Sequence, residues 1–443
     1  MNSLSEIVSY VLGFKPYVLL PIIIFIFSMV FRIPIQRAIK SCLTIGIGFI
    51  GIFVIFGFFV ESIGPAVKAL VSKMGLNFSV LDVGWTPLAA ITWSYKLAPL
   101  LLVLIILVNT AMLLLKLTKT VNIDIWNYWH FIFTGAIIYE TTGSILLSVA
   151  AALFTSILII KLGDWSAEKV NKFGGLEGVS ITTLSAGGYY PLGVLGDRLI
   201  EKIPLINKMN AKPEAIKEKL GVAGEPMTLG FIMGILLGLG AGYDAKGVLQ
   251  LAFEIAAVIY ILPLMSGTLS KGLIPISDGL KEFMKKRFPQ MGDTYIGLDV
   301  AVIVGNASVI VTALLLMPVA LVLAFLLPGV KFIPLGDLAN IMGSIALVVV
   351  AVRGNVIRAL IISIPILIGK LYVSSYMAHT YTTLAQKANF KFEGYDGLIT
   401  SFLDGGNVTR YWIIRVFEGN TMALLATPVI AYLLYITWRS ISK

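Results

Sequence analysis

Two aspartates lie inside apolar stretches of the chain, in similar surroundings. Asp82 belongs to "LDVGWTPLAAITW" and Asp299 to "IGLDVAVIVGNAS". A charged side chain at membrane depth costs roughly 3 kcal/mol on insertion scales, so it usually faces a cavity and marks a pathway. Charged acceptors also form strong hydrogen bonds to hydroxyl groups. The two aspartates therefore predict a binding site for a polyhydroxylated ligand inside a membrane protein.

The residues around these aspartates have side chains that suit such a ligand. Tryptophan rings pack on the C–H face of a sugar, and hydroxyl and amide groups pair with its hydroxyls. The predicted binding residues are Trp85, Thr86, Trp93, Asn306 and Ser308. An alternative stays open, because aspartate is also a good N-cap of a short helix and one residue can do both.

A histidine occurs between oily runs in "NIDIWNYWHFIFTG", where His130 follows Trp129. Imidazole titrates near neutral pH, so His130 could bind a hydroxyl group or take its proton. The alternative is a buried neutral histidine bonded to a carbonyl group. Asp124 and Asn127 share a helix face at a spacing of three, which favours a helix cap at the membrane edge.

One further acid is a candidate for proton transfer. Glu177 opens the Gly-rich stretch "EGVSITTLSAGGYYP". A carboxylate in such a loop can act as a general base on a hydroxyl group. A solvated loop carboxylate is the alternative.

The elements that position these residues are predicted to be membrane helices. The chain has 443 residues, of which 58% are hydrophobic and 13% charged, and its mean hydropathy is +0.91. Soluble domains have about 25% charged residues. Residues 97–115 carry no charge, and about 20 apolar residues are enough for a helix to cross the hydrocarbon layer. Shorter runs predict re-entrant pieces, so we expect an all-α polytopic membrane protein.

The charge and cysteine content exclude several functions. The net charge of +10 fits the positive-inside bias of cytoplasmic loops better than nucleic-acid binding, and Arg439 and Lys443 predict a cytoplasmic C-terminus. Cys42 is the only cysteine, and no His/Cys spacing fits a metal site. We expect no metal, no cofactor and no nucleic-acid partner.

The two halves of the chain echo each other. "LDV" at 81–83 recurs at 298–300, "ESIGPAVKALVSK" (61–73) resembles "KGLIPISDGLKEF" (271–283), and "NIDIWN" (122–127) resembles "IPLGDLAN" (333–340). Asp82 then matches Asp299, and Asp124 matches Asp337. Duplicated halves are usual in transporters, with the site where broken helices of the two repeats meet.

The same pattern predicts the division of the chain. We expect a first transmembrane repeat at 15–160, a cytoplasmic connector with the Gly-rich segment at 161–225, a second repeat at 226–385, and a polar segment with the last transmembrane helix at 386–443.

The chain resembles the membrane IIC component of the galactitol family of the sugar phosphotransferase system over nearly its whole length. The motifs that carry the resemblance are "IGIGFIGI" (45–52), "ESIGPA" (61–66), "DVGW" (82–85), "VNIDIWNYWHFIFTGA" (121–136), "LEG" (176–178), "GEP" (224–226), "AGYDAKGVLQLA" (241–252), "IGLD" (296–299) and "GDLA" (336–339).

The resemblance implies a fold similar to the ascorbate permease of the same system. That fold has two inverted repeats of five transmembrane segments, re-entrant hairpins, an eleventh helix and a homodimer in the inner (cytoplasmic) membrane. It also implies a polyol substrate, galactitol first of all. The IIA and IIB components would be partners, and a phosphocysteine of IIB would phosphorylate the polyol while the permease itself stays unphosphorylated.

The resemblance further implies roles for particular residues. Binding roles fall on Asp82, Trp129 and Asp299, and catalytic roles on His130 and Glu177. Two departures put the exact polyol in doubt: Asn306 stands where the family often has histidine, and "TTL" (182–184) stands where it tends to have "PHG".

Two other functions remain on the residues alone. An ion-coupled secondary transporter of a polyol or sugar would use buried Asp82 and Asp299 equally well. A membrane sensor or scaffold that transports nothing is the other, and acids at repeat-related positions argue against it.

Overall fold

Sixteen α-helices and five short β-strands make up the part of the chain that the computed structural model describes. It covers residues 14, 16–73, 79–93, 95–204, 211, 222, 225–287, 294–334, 336–388, 390 and 397–441. The five strands have three or four residues each. They correct the all-α prediction, although the chain is mostly helical as expected.

The first half begins with two helices and continues with broken ones. Its elements are α1 (Pro16–Val30), α2 (Ile35–Lys73), β1 (Val80–Asp82), α3 (Trp85–Trp93), α4 (Ala98–Leu114), β2 (Thr120–Asn122), a 3-10 turn (Ile125–Tyr128), α5 (Trp129–Thr142), α6 (Ile145–Gly174), β3 (Val179–Ile181), α7 (Leu184–Gly187) and α8 (Tyr190–Ile200).

The second half repeats nearly the same order. Its elements are α9 (Pro226–Ala241), α10 (Ala245–Arg287), β4 (Tyr295–Leu298), α11 (Ala301–Val304), α12 (Ala307–Leu326), a 3-10 turn (Leu338–Asn340), α13 (Ile341–Ala351), α14 (Val356–Lys387), β5 (Leu398–Thr400), α15 (Val408–Phe417) and α16 (Thr421–Arg439). Helix α16 follows the repeated elements, as expected of a final helix.

Local sequence explains several of the helix boundaries. Ser144 caps α6 by accepting a hydrogen bond from Leu147 N at 3.3 Å, and Asn355 caps α14 in the same way through Arg358 N at 3.1 Å. Helix α5 ends at Gly143, whose φ of 69° is left-handed, a conformation that glycine adopts without strain. The chain can therefore turn sharply from α5 into α6.

The strands connect the two halves reciprocally. Strand β1 pairs in parallel with β5, and β4 lies between β2 and β3, also in parallel. Val80 N donates to Lys331 O, and Tyr295 N, at the start of β4, donates to Lys119 O. Each half thus inserts one strand between segments of the other half, which satisfies backbone groups that lipid could not.

A pair of glycines permits the close approach of the halves after β1. Gly84 has a φ of 76°, and an added Cβ there would lie 3.0 Å from Gly336 O. A Cβ on Gly336 would lie 2.7 Å from Gly84 N. Gly336 has no room for a Cβ, and at Gly84 a left-handed φ is combined with a contact tighter than most Cβ atoms make, so both positions favour glycine.

Two groups of helices are packed side by side. Helices α2 and α10, of 39 and 43 residues, run against each other and are joined by α1 and α9. The other group contains the broken helices, α5, α6 and α12 to α15. Helix α5 is buried over 129–138, so it forms the interior of this second group.

Four described helices are long and apolar enough to cross a membrane: α6, α12, α14 and α16. The predicted re-entrant hairpin corresponds to residues 87–93 and α4, two apolar helices with a 91° bend between them. Exposed side chains such as Met422, Leu425 and Val429 cover α16, of which only 11% is buried. The chain is built as an integral membrane protein.

The Gly-rich stretch, expected within a cytoplasmic connector, lies largely inside the fold. Residues 178–191 are buried, because β3 pairs with β4 and α7 packs against α13. The domain boundaries stay a prediction.

Candidate functional site

Asp82 and Asp337 join the first broken helix, α3 with α4, to the second half of the chain. Asp82 accepts hydrogen bonds from Gly84 N, Phe402 N and Asp337 N at 3.1–3.2 Å. Asp337 accepts from four donors: Trp85 N and Asn340 Nδ2 at 3.0 Å, Leu403 N at 3.0 Å, and Ser401 Oγ at 2.6 Å. Both carboxylates are occupied by protein donors, which supports the cap interpretation for Asp82.

Asp124 and Asp299 form a similar connection at the second broken helix, α11 with α12. Asp124 Oδ2 accepts from Asp299 N at 3.0 Å. Asp299 accepts from Ala301 N at 2.8 Å and from Thr183 Oγ1 at 2.9 Å, and Thr183 also accepts from Asn127 Nδ2 at 2.8 Å. Asp299 is only half buried, so it can accept a further bond from a ligand hydroxyl.

The structure reveals a further match between the halves. Thr183 bonds the Asp299 carboxylate as Ser401 bonds that of Asp337, and a Gly-Gly pair follows each hydroxyl at the same spacing, 187–188 and 405–406. We call 182–188 loop A and 400–407 loop B. They meet where Asn407 Nδ2 donates to Leu184 O at 3.3 Å.

A buried charged cluster lies where the loops meet. It consists of His130, Asp404 and Arg410, each at most 3% exposed, and we call it the histidine cluster. His130 Nδ1 lies 3.1 Å from Asp404 Oδ1 and 3.3 Å from Arg410 Nη2. No described residue forms a hydrogen bond to Nε2 of His130. That nitrogen is available for a ligand hydroxyl.

Buried side chains hold the irregular backbone of loop B. Lys370 Nζ donates to Leu403 O at 2.6 Å, Arg410 Nη1 to Asp404 O, and Tyr381 Oη to Gly405 O at 2.7 Å. Non-helical backbone at membrane depth needs such partners because no water is present there. These contacts fix the position of Asp404 beside His130.

Replacing Lys370 with methionine is expected to weaken the fold. The methionine fills a similar volume but leaves Leu403 O without its donor, at a cost of about 1–3 kcal/mol. We expect a lower thermal unfolding midpoint in detergent. Lys387→Met, at the exposed end of the same helix and paired with Glu140, is the matched control. Equal midpoints for the two variants would contradict this role of Lys370.

Aromatic rings border the histidine cluster. The rings of Trp85 and Trp129 are stacked at a centroid distance of 6.2 Å, and the Trp129 ring lies 4.2 Å from that of His130. The Arg410 guanidinium lies over Phe133 at 4.9 Å. Trp85, half buried, brings β1 and α3 next to His130.

The remaining predicted site residues lie in different places. Trp93 is half buried and packs with the aromatic residues near α5. Asn306 caps α12 by accepting from Ser308 N at 2.9 Å. The side chain of Thr86 lies outside the described part. Glu177 is exposed on the turn before β3, and no hydrogen bond of the described residues joins it to the histidine cluster.

A separate cavity of about 200 Å³ lies between the two helix groups. Its lining is apolar, from side chains such as Ile63, Leu237, Ile255, Met317 and Leu321. None of the predicted site residues lines it. This cavity is therefore unsuited to a polyol.

The sequence does not identify Asp404 and Arg410 as partners of His130, or Lys370 as a donor that holds loop B. One signal was present: Lys370 interrupts the apolar stretch "IISIPILIGKLYV", and a cation at such a position indicates a functional or paired group. The pairing of Asp404 with a residue more than 270 positions earlier leaves no local pattern.

Comparison with known proteins identifies the family. A model of the EIIC-GAT family, described as "PTS system sugar-specific permease component", matches residues 10–396. The chain is 37% identical over 437 residues to proteins named "PTS system galactitol-specific EIIC component" from Escherichia coli strain K12 and from Escherichia coli O157:H7, covering 98% of this chain and 96% of each relative. It is 35% identical over 436 residues to a "Putative permease IIC component" of Escherichia coli strain K12, covering 98% and 99%. These matches confirm the resemblance, and the chain belongs to the family of sugar-specific permease components of the phosphotransferase system.

Proposed function

We propose that this permease binds galactitol or a closely related polyol and carries it across the inner membrane while a phosphocysteine of IIB phosphorylates it. The relatives named galactitol-specific support the substrate. The observation that carries the proposal is the buried histidine cluster between loops A and B, with Nε2 of His130 available. Family membership implies IIA and IIB partners, and the apolar helices suit an inner-membrane protein.

His130 is the group best placed to act on a polyol hydroxyl. Phosphoryl transfer depends mainly on positioning and on charge stabilisation, so a site that holds one hydroxyl in line supplies much of the catalysis. The stacked rings of Trp85 and Trp129 offer an apolar wall beside that nitrogen. Glu177, exposed before β3, has less support as the proton acceptor.

The other predicted binding residues differ in the support that the structure gives them. Asp299 is half buried and retains free acceptor capacity. Asp82 already accepts three hydrogen bonds, and its partner Asp337 accepts one from Trp85 N. Trp93, Asn306 and Ser308 stay proposed binding residues, and the side chain of Thr86 lies outside the described part.

Transport by relative movement of the two helix groups agrees with this architecture. The halves would be inverted repeats of five transmembrane segments, and the group of α1, α2, α9 and α10 would form a homodimer surrounded by lipid. The group with loops A and B would carry the polyol. Arg439 at the end of α16 favours a cytoplasmic C-terminus.

The alternative of ion-coupled transport has less support from the site. A cation site needs carboxylate oxygens that are free of protein donors. Asp82 accepts three hydrogen bonds from the protein, and Asp299 has a protein donor on each of its two carboxylate oxygens. An ion would have to displace these donors, so phosphorylation-coupled uptake is the better explanation.

Uptake by membrane vesicles tests the proposed function. Right-side-out vesicles that contain the permease and enclose phosphorylated IIB are expected to accumulate labelled galactitol as galactitol phosphate, because the phosphoryl group traps the product inside. Vesicles that enclose IIB with its cysteine replaced by serine are the control and should accumulate none. Accumulation of unmodified polyol that requires an ion gradient would contradict the proposal.

A further inference from the structure

The polar residues that occur in both halves account for the framework of the site. Asp82 matches Asp299, and each accepts a hydrogen bond from the backbone N–H two residues further on. Asp124 matches Asp337, and each is hydrogen-bonded to the aspartate of the other half, Asp299 or Asp82. Thr183 matches Ser401, and each hydroxyl donates to one of these carboxylates. A structural contact that both halves require is expected to use residues that are present in both halves. These residues therefore have a structural role that does not depend on the substrate.

The histidine cluster does not follow the repeat. At the separations of the neighbouring matches, His130 corresponds to Gly343, Asp404 to Ala186 and Arg410 to Leu192. Loop A thus has the hydroxyl and the Gly-Gly pair at the same spacing as loop B, without any of these charges. Burying charged groups costs several kcal/mol unless they are paired, and the framework exists without them in loop A. Because these charged residues have no counterpart in the other half, we expect their role to be toward the single bound substrate.

The position of Nδ1 makes the tautomer of His130 depend on its neighbours. Arg410 can only donate, so a hydrogen bond from Nη2 to Nδ1 requires Nδ1 without a proton. Asp404 in its ionised form can only accept, so Oδ1 at 3.1 Å requires a proton on Nδ1. With that proton absent, Asp404 Oδ1 has no hydrogen-bond partner in the described structure. A buried carboxylate oxygen without a donor is more costly than one unused N–H of a guanidinium that also bonds Asp404 O.

We infer that Asp404 is a positioning residue that holds the proton of His130 on Nδ1 and thereby leaves Nε2 free to accept the proton of a polyol hydroxyl. The inference rests on the proposed function. In the step, the hydroxyl oxygen forms a bond to phosphorus as the S–P bond of the IIB phosphocysteine breaks. The sulfur leaves with the electron pair as a thiolate, and the hydroxyl proton moves to Nε2. Asp404 then faces an imidazolium and stabilises its charge, with Arg410 holding the loop carbonyl of Asp404.

The tautomer can be measured directly because the chain has only two histidines. In a His379→Gln background, ¹⁵N NMR of the labelled imidazole in lipid reports on His130 alone. We expect a protonated Nδ1 with Asp404 present. In Asp404→Asn, the proton is expected to move to Nε2 because Nδ1 then accepts from Arg410. The same tautomer in both proteins would overturn the inference.

Kinetics provide the second measurement. Asp404→Asn is expected to bind galactitol within about threefold of the unmodified protein and to phosphorylate it about 10²–10⁴-fold more slowly with phosphorylated IIB. Asp404→Glu, which restores the carboxylate, should recover part of the rate. Asp197→Asn, which removes a buried acid that pairs with Arg358 outside the site, is the control. A normal rate in Asp404→Asn would overturn the inference.

A second variant covers the case in which Asp404→Asn does not fold. Asp404→Ala has the residue that loop A carries at the matching position, Ala186, and it removes the carboxylate without placing another polar group in the cluster. It is expected to show the same change of tautomer and rate. If the unmodified protein forms no galactitol phosphate, the proposed function fails, and the NMR comparison still decides whether Asp404 positions His130.

Discussion

Replacing His130 with glutamine is expected to lower the rate of polyol phosphorylation by about 10²–10⁴-fold, the usual contribution of a positioned general base. Glutamine occupies a similar volume and can still accept a hydrogen bond from Arg410, but it cannot take a proton from a hydroxyl. Binding of the polyol is expected to change much less than the rate, because only the transition state needs the proton acceptor.

The measurement is a rate of galactitol phosphate formation at saturating phosphorylated IIB, together with a dissociation constant for galactitol without IIB. His379→Gln is the matched control, since His379 is the other histidine and its contacts are to Thr383 at an exposed part of α14. An unchanged rate in His130→Gln with a reduced rate in His379→Gln would place the chemistry elsewhere.

Much of the framework could be predicted because the duplication left readable traces. Short motifs align Asp82 with Asp299 and Asp124 with Asp337, and in the structure Asp82 accepts from Gly84 N as Asp299 accepts from Ala301 N. The 3-10 turns also match, with Asn127 N bonded to Asp124 O and Asn340 N to Asp337 O. Caps and short motifs survive duplication because the same backbone geometry requires them in each half.

The interlocked strands could not be predicted from their own residues. Strands such as "TVN" and "VSI" have three residues, which is too short for an alternating pattern. Their existence depends on parallel partners from the other half of the chain. The prediction of a connector at loop A has the same cause. Its Gly and Thr residues are typical of a solvated loop, and the sheet that buries them depends on strands from the other half.

The histidine cluster shows a different limit. His130 was identified from its type and its apolar surroundings, and that signal is local. Asp404 carries no such signal, since nothing near it in the sequence indicates a histidine 3.1 Å away. A comparison of loops A and B would have isolated it, because it is an acid where the other half has Ala186. The positions at which the repeats differ in charge are thus as informative as those at which they agree.

Of the four aspartates at the broken helices, Asp337 is expected to cause the largest loss of stability when it is replaced with asparagine. Each oxygen of Asp337 accepts two hydrogen bonds, from Trp85 N and Asn340 Nδ2 on one side and from Ser401 Oγ and Leu403 N on the other. An amide has one oxygen, so in either orientation its NH₂ group faces two donors. At about 1–3 kcal/mol for each unsatisfied buried donor, the expected cost is roughly 2–6 kcal/mol.

This cost is expected to appear as a lower yield of folded protein in detergent and a lower unfolding midpoint, because the contacts join the first broken helix to loop B. Asp278→Asn, an exposed acid on α10, is the control and should leave both unchanged. Asp299→Asn is the informative comparison. Asp299 is half buried and has one partner on each oxygen, so this variant is expected to fold better than Asp337→Asn while transporting poorly. If Asp337→Asn were as stable as the control, the carboxylate would not be what holds the two halves together, and the twofold framework around His130 would need another source of rigidity.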